Sequence, residues 1–376
     1  MEIVLRCSSC DASYDGVVPR WQCHCGGYLD LSHDVIINRQ EILSGPNNIW
    51  RYRNCLPLDP DASIITLGEG MTPLLNIKGF FGKAKIKADY LMPTGSYKDR
   101  GSALMLSQLK AWGVEKIIED SSGNAGASVA AYSSVAKIDA DVYIPAYTSA
   151  GKALQIGLYG ANLIKVEGTR EATTKAALEA AVSTFYASHN WSPWFVHGVK
   201  TLAYELWEQL GFQAPESVIV PVGNGSLVLG LAQGFSELLF KGEIKKLPKI
   251  YAVQTAACDP LTRAFDQGLD TAVPVIKEET VAEGIVSAEP VKARGILQAV
   301  RRSGGSIISV EEAEILKSLK ELIKLGFYVE PTSAVVAAAL LQLRRKGIIS
   351  AEAQPVLELT GSGLKATDKL LEYFKF

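Results

Sequence analysis

No run of about 18 consecutive apolar residues interrupts the 376-residue chain, so hydropathy offers no membrane-spanning helix. A cationic excess is missing as well. Lys plus Arg number 38 against 40 for Asp plus Glu, a formal charge of −2, which leaves no overall basic field to gather nucleic acid or an anionic membrane surface. Six cysteines are too few for a disulfide scaffold at this length. The opening Met-Glu-Ile-Val-Leu-Arg-Cys carries no basic segment leading into an apolar one, so a cytoplasmic location is expected. No internal repeat or low-complexity tract stands out. With 48% hydrophobic and 21% charged residues the chain reads as globular, and at roughly 150 residues per domain it predicts two or three domains. A small-molecule substrate, rather than nucleic acid or membrane, is the expected partner.

Four of the six cysteines crowd into the first 25 residues: Cys7 and Cys10, then twelve residues, then Cys23 and Cys25 before Gly26-Gly27. Two close pairs on opposing turns can bring four thiolates to one tetrahedral zinc ion, and the glycines permit the positive-φ knuckles this requires. Four thiolates close the coordination shell, so the zinc would be structural. A ribbon packed without metal, or reduced thiols in a small hairpin, are the alternatives. Cys55 and Cys258 stand alone and read as ordinary buried cysteines.

Residues 31–66 read as mixed and irregular. Beyond them strands and helices alternate. Strand patterns appear at 83–90, 116–119, 141–144, 217–222, 249–253 and 355–359. Helical spacing appears at 102–112, 127–136, 151–160, 226–239, 311–325 and 332–345. Strand, glycine turn, helix is the recurring unit, which predicts an α/β fold with mainly parallel sheets and ligands beyond the carboxyl ends of the strands.

Four turns stand where such ligands bind. Met92-Pro-Thr-Gly-Ser-Tyr-Lys-Asp-Arg-Gly101 places Lys98 at a helix entrance, where a neutral amine is favoured and can attack an aldehyde, although taken alone a solvated surface charge is the commoner explanation of a lysine. Ser121-Ser-Gly-Asn-Ala-Gly126 aims backbone N–H groups and hydroxyls at an anion the size of an amino-acid carboxylate; an N-capped tight turn explains it equally well. Gly223-Asn-Gly-Ser226 repeats the arrangement for a phosphate, without the Lys-Ser/Thr of a nucleotide P-loop. Thr360-Gly-Ser-Gly363 offers a hydroxyl at a strand end, and Glu330-Pro-Thr-Ser333 opens a helix.

Taken in order, these turns resemble those of the fold type II pyridoxal 5′-phosphate (PLP) enzymes, and within that family the chain is similar to the threonine synthases. The resemblance runs over roughly residues 65–376 and is carried by Pro93–Gly101, Ser121–Gly126 and Leu359-Thr-Gly-Ser-Gly-Leu-Lys365; the cysteine ribbon also recurs in some threonine synthases. It implies two open, mainly parallel twisted-sheet domains with a small zinc-ribbon-like extension at 1–35 and a linker at 36–64. The large PLP-binding domain would take 65–94 and 201–376, and a small mobile substrate domain 95–200. It further implies that Lys98 holds PLP and moves protons, that Asn124 bonds the cofactor's phenolic oxygen, and that Gly223, Asn224, Gly225 and Ser226 cradle its phosphate. Thr360 would face the pyridine nitrogen, where a neutral hydroxyl makes the ring a mild electron sink. Thr94, Ser121, Ser122, Ala125, Gly126, Asn190 and Lys200 would bind substrate. A homodimer is implied by the resemblance alone.

One segment departs from the pattern. Familiar threonine synthases carry Asn-x-x-Asn-Pro-x-Arg-Leu-Glu-Gly-Gln-Lys-Thr ahead of the phosphate loop; here His189-Asn-Trp-Ser-Pro-Trp-Phe-Val-His-Gly-Val-Lys-Thr201 puts Phe195 at the arginine and His189 and Ser192 at the asparagines. Phenylalanine cannot replace a bidentate phosphate clamp. The expected reaction is conversion of O-phosphohomoserine and water to threonine and phosphate. Its alternative, fed by the missing arginine, is β-elimination or β-replacement on serine, threonine or O-phosphoserine, as in an ammonia-lyase or a cysteate synthase-like enzyme. A PLP carrier without turnover would not need a lysine poised at a turn. His189 and His197, set among aromatics, read as packed, hydrogen-bonded residues or as catalytic ones.

Overall fold

The computed structural model describes residues 2–374. The chain forms two compact units, Met1–Gly70 with Lys98–Thr201 and Met71–Tyr97 with Leu202–Phe376. The ribbon at 1–35 and the segment at 36–64 thus belong to the same unit as residues 98–201. Among the described residues no helix is long and apolar enough to cross a membrane.

The first unit is built on four parallel strands in the order Asn162–Val166, Asp139–Pro145, Lys116–Glu119 and Phe185–Tyr186. Two helices give it its functional turns. Lys98–Ala111 is buried at every position from Asp99 to Leu109. It begins four residues before the apolar spacing does, because its first turn is polar. Asn124–Ala136 is made almost wholly of small residues, which lets it bury Ala125 to Ser133, and it stops where Lys137 turns left-handed at φ 55°.

A second, antiparallel sheet in this unit pairs Ile3–Cys7 with both Ser13–Asp15 and Leu29–His33. The segment read as irregular after it is ordered: Asn38 caps a helix at Arg39–Ser44, and Asn48 caps a 3-10 helix at Ile49–Cys55. The two asparagines are N-cap signals that a search for apolar periodicity passes over. Trp50, Tyr52 and Cys55 are buried there, and the segment is fastened at Glu69. The Glu69 carboxyl accepts from Trp50 Nε1 at 3.0 Å, the Leu67 N–H at 2.8 Å and the Tyr132 hydroxyl at 2.7 Å. Burial nevertheless pushes its pKa up.

The second unit carries six strands in the order Ser306–Val310, Lys249–Thr255, Ser217–Pro221, Val356–Glu358, Ala84–Lys87 and Leu74–Ile77. All pairs are parallel except the last. Ser217–Pro221 is buried at all five positions, as its unbroken apolar run requires of a central parallel strand. The helix Pro331–Arg345, with proline at its first position, buries Ala334 to Leu340 in the main core of this unit.

Candidate active site

Lys98 is the first residue of its helix, and Asn124 the first of the helix that follows the strand Lys116–Glu119. One buried hydroxyl joins the two first turns: Ser128 Oγ donates to Asp99 Oδ1 at 2.6 Å and lies 2.7 Å from Ser102 Oγ. The turn before Asn124 folds back so closely that a Cβ on Gly126 would stand 1.8 Å from the Ser121 carbonyl oxygen. Ser121 and Ser122 are half-buried there, and the Gly123 N–H donates to Ser121 Oγ at 3.3 Å. Hydroxyls and the leading N–H groups of a helix thus gather at one turn, a concavity suited to a carboxylate.

The other flank of the lysine helix is Pro193–Val199, approached through two glycines. The space where Gly101 has no Cβ is taken by the Phe195 ring, with ring carbons 2.6 Å from the ideal position, and a Cβ on Gly198 would meet the Arg100 carbonyl oxygen at 2.2 Å. Phe195 is fully buried, and the Lys98 amine stands 5.8 Å from its ring centroid. His189 meets the same ring edge-on at 5.7 Å. Both histidines of this stretch are packed and hydrogen-bonded: His189 Nδ1 pairs with Glu119 at 2.9 Å, and His197 Nε2 donates to the Leu31 carbonyl at 3.1 Å. Trp194 is buried and donates to the Pro57 carbonyl at 2.9 Å.

Asn190 lies half-buried in the turn before that helix, its N–H on Ser188 Oγ at 3.4 Å. Lys200 faces the ribbon: its buried amine donates to His33 Nε2 at 3.0 Å. Burial, and the Lys200 ammonium beside it, hold His33 down at about 3, so the imidazole is neutral and gives its Nδ1 proton to the Asp34 carbonyl at 2.9 Å.

In the second unit the chain ahead of the lysine is zipped to the 360–362 turn. The Tyr97 N–H donates to the Thr360 carbonyl at 3.0 Å, the Ser362 N–H to the Gly95 carbonyl at 2.9 Å, and Lys365 Nζ to the Thr94 carbonyl at 2.9 Å. The Tyr97 hydroxyl lies 2.9 Å from Ser226 Oγ. Tyr97, one residue before Lys98, therefore links the 223–226 turn to the 360 turn. Gly225, at φ 83°, ends that loop in the left-handed region and leads into the fifteen-residue helix Ser226–Phe240, while Asn224 accepts from the Ser287 hydroxyl at 2.9 Å. A left-handed glycine at a helix start turns consecutive N–H groups toward an anion.

Ser333 is the hydroxyl neighbour of Thr360. Its Oγ accepts from the Thr360 N–H at 2.9 Å and the Gly361 N–H at 3.0 Å, and lies 3.0 Å from Thr360 Oγ1. The Ser333 proton can go to Thr360 Oγ1 or to the Gly361 carbonyl at 3.4 Å, and the Thr360 hydroxyl accepts from Ser333 in the first case and donates to it in the second. The Lys98 amine and the Asn124 turn in the first unit, and the 223–226 glycine turn and the Thr360 hydroxyl in the second, are each chemically suited to PLP.

At the ribbon, Cys7 and Cys25 Sγ lie 3.5 Å apart, Cys10 and Cys23 Sγ 3.6 Å apart, and all four within 4.8 Å of one another. Zinc–sulfur bonds of about 2.3 Å set tetrahedral edges of about 3.8 Å, so the donor set fits the ion. Burial opposes ionisation of Cys23, yet the Cys25 backbone N–H and the Tyr14 hydroxyl outweigh it and hold the thiol down at about 6.

The sequence alone gave no role to Tyr97, Asp99 and Ser333, which stand inside its turns, and singled out neither Ser128 nor Glu119. A charged residue closing an apolar strand, as Glu119 does in Lys-Ile-Ile-Glu, was the one local signal among them.

Comparison with known proteins identifies the family. The family described as pyridoxal-phosphate dependent enzyme matches residues 65–361. A threonine synthase of Methanocaldococcus jannaschii is 34% identical over 96% of this chain and 93% of its own length, and one of Methanosarcina acetivorans is 31% identical over 98% and 93%. Among solved structures, a threonine deaminase from T.th. superposes with a TM-score of 0.67 at 25% identity, covering 77% of this chain and 92% of its own. An L-serine ammonia-lyase from Rhizomucor miehei gives 0.71 at 22% identity over 81% and 97%, a likeness of fold. By the family match over residues 65–361 and the identity to threonine synthases along nearly its whole length, the chain belongs to the family of pyridoxal-phosphate-dependent enzymes.

Proposed function

We propose that this PLP-dependent lyase acts as a threonine synthase, converting O-phosphohomoserine and water to threonine and phosphate. The observation that carries the reading is the extent of likeness to threonine synthases, which spans 96% and 98% of the chain in the two relatives above. PLP, when bound, supplies the electron sink for a carbanion at the substrate's Cα. In this reading Lys98 carries the cofactor, takes the Cα proton and returns protons later in the cycle. Ser121, Ser122, Ala125 and Gly126 bind the substrate carboxylate, Asn124 bonds the cofactor's phenolic oxygen, and Gly223, Asn224, Gly225 and Ser226 hold its phosphate. Thr360 donates to the ring nitrogen; Thr94, Asn190 and Lys200 complete the substrate's surroundings. A homodimer in solution belongs to the same reading.

A second reading, β-elimination or β-replacement on serine, threonine or O-phosphoserine, draws on the buried Phe195 beside Lys98, where familiar threonine synthases place an arginine, and on Lys200 bonding to His33. One experiment separates them. Purified PLP-loaded protein is expected to release threonine and phosphate in equal amounts from O-phosphohomoserine. Ammonia and a 2-oxo acid from serine or threonine, with O-phosphohomoserine inert, would decide for the second.

For the ribbon we propose one structural zinc ion on Cys7, Cys10, Cys23 and Cys25. Metal analysis is expected to return about one zinc per chain, falling to near zero in a Cys10→Ser, Cys23→Ser double variant and lowering the melting temperature. A stoichiometric absence of zinc in protein purified without chelator would reject the site.

A further inference from the structure

The 223–225 loop of the second unit is backed, residue by residue, by one stretch of the same unit, 284–296, to which no role has been given above. That stretch is anchored where it begins. The Val281 N–H donates to Glu312 Oε2 at 3.0 Å, the Ala282 N–H to Thr280 Oγ1 at 3.1 Å and the Gly284 N–H to Thr332 Oγ1 at 3.1 Å. Backbone of Ile285 then lies where Gly223 has no Cβ, its Cα 3.1 Å and its carbonyl oxygen 3.2 Å from the ideal position. The Ser287 hydroxyl donates to Asn224 Oδ1 at 2.9 Å, both residues being half-buried. The helix Ala293–Ser303 follows and sets Ile296 in the space where Gly225 has no Cβ. Both glycines are therefore required by close approach, and the backbone of the loop is fixed from behind.

What that packing leaves open is the side chain between the glycines. An asparagine amide has an accepting oxygen at one end and two N–H donors at the other, and the two ends are nearly alike in shape. Which end faces an anion decides whether the residue attracts or repels it. We propose that Ser287 is a positioning residue for the cofactor phosphate: its hydroxyl holds Asn224 Oδ1, the repelling end, and so commits the Nδ2 protons to the phosphate oxygens. Ile285 and Ile296 hold the backbone of the loop, and Ser287 holds the torsion about Cβ–Cγ of Asn224 that backbone packing does not reach. The inference rests on the reading of 223–226 as the phosphate cradle, and is independent of which amino acid is the substrate.

Titration of the cofactor-free full-length chain with PLP and, separately, with pyridoxal, followed by the absorbance of the lysine-linked cofactor, isolates what the phosphate contributes to binding. Wild type is expected to prefer PLP strongly. Ser287→Ala is expected to weaken PLP binding about fivefold, the order of one neutral hydrogen bond, and to leave pyridoxal binding unchanged. Ser287→Thr keeps the hydroxyl and should stay within about twofold of wild type. The phosphorus NMR resonance of bound PLP should move in the alanine variant and hold its place in the threonine variant. In an Asn224→Ala background the Ser287→Ala change is expected to add nothing, because it acts through the amide. A PLP-to-pyridoxal ratio unchanged by Ser287→Ala overturns the proposal. An equal loss for both aldehydes overturns it too, since that marks a purely structural role, as does the same PLP loss in the Asn224→Ala background. A wild type that binds the two aldehydes equally rejects the cradle itself, whereas a preference for PLP that survives Ser287→Ala intact rejects Ser287 and leaves the cradle standing.

Discussion

Lys98→Ala is expected to lower turnover by about three to four orders of magnitude and to remove the visible chromophore of the lysine-linked cofactor. Two roles meet on this side chain in the proposed reaction, attachment of the cofactor and movement of the Cα proton, and general acid–base catalysis alone is worth about 10²- to 10⁴-fold. The position is built to hold the amine still. Lys98 opens a helix whose next eleven residues are buried, its neighbour Asp99 is bonded to Ser128 on one side, and Gly101 is packed on Phe195 on the other. Alanine preserves the helix start, so the loss falls on chemistry rather than folding. Lys98→Arg should be as inactive, because a guanidinium keeps its proton at any working pH. Absorbance scans and stopped assays of phosphate release check both variants. Retention of more than about 1% of turnover by either would remove Lys98 from the proton-transfer role.

Much of this arrangement is legible in the amino-acid sequence because glycine and proline record backbone geometry locally. The 121–126 and 223–226 turns lie directly after apolar strands, and Pro331 marks the start of its helix, so each could be placed from a dozen residues of context. Helix starts were less legible: at Lys98 and Asn124 the first turn is made of polar and small residues, which carry no apolar spacing. What joins distant parts of the chain left no local trace. His189 and Glu119 are 70 positions apart, Tyr97 and Ser226 are 129 apart, and Lys200 and its partner His33 are 167 apart. Lys200 shows the consequence. Its place beside Thr201 resembles a family motif that reads as phosphate binding, while its bond to the ribbon depends on a strand near the amino terminus.

Gly126→Ala is expected to destabilise the first unit by about 3 kcal/mol or more and to abolish substrate binding, the largest structural effect of a single methyl group in this site. The added Cβ would stand 1.8 Å from the Ser121 carbonyl oxygen and 2.9 Å from its carbon, with Ile156 Cδ1 at 3.2 Å on a further side. Two of these are backbone atoms, so no rotamer change relieves the overlap; the Ser121–Asn124 turn must lift away from the helix it leads into. That movement would withdraw the Ser121 hydroxyl and the leading N–H groups from the anion they are proposed to hold, and would separate Asn124 from the Ser128–Asp99 bond that fixes the lysine helix. Gly123 is the internal control, since a Cβ there meets nothing within 4 Å. Thermal melts of the two variants should differ by several degrees, with Gly123→Ala close to wild type in stability. Equal melting temperatures would mean that the turn has slack the structure does not show, and the close approach of Ser121 to Gly126 would then lose its role in shaping the carboxylate site.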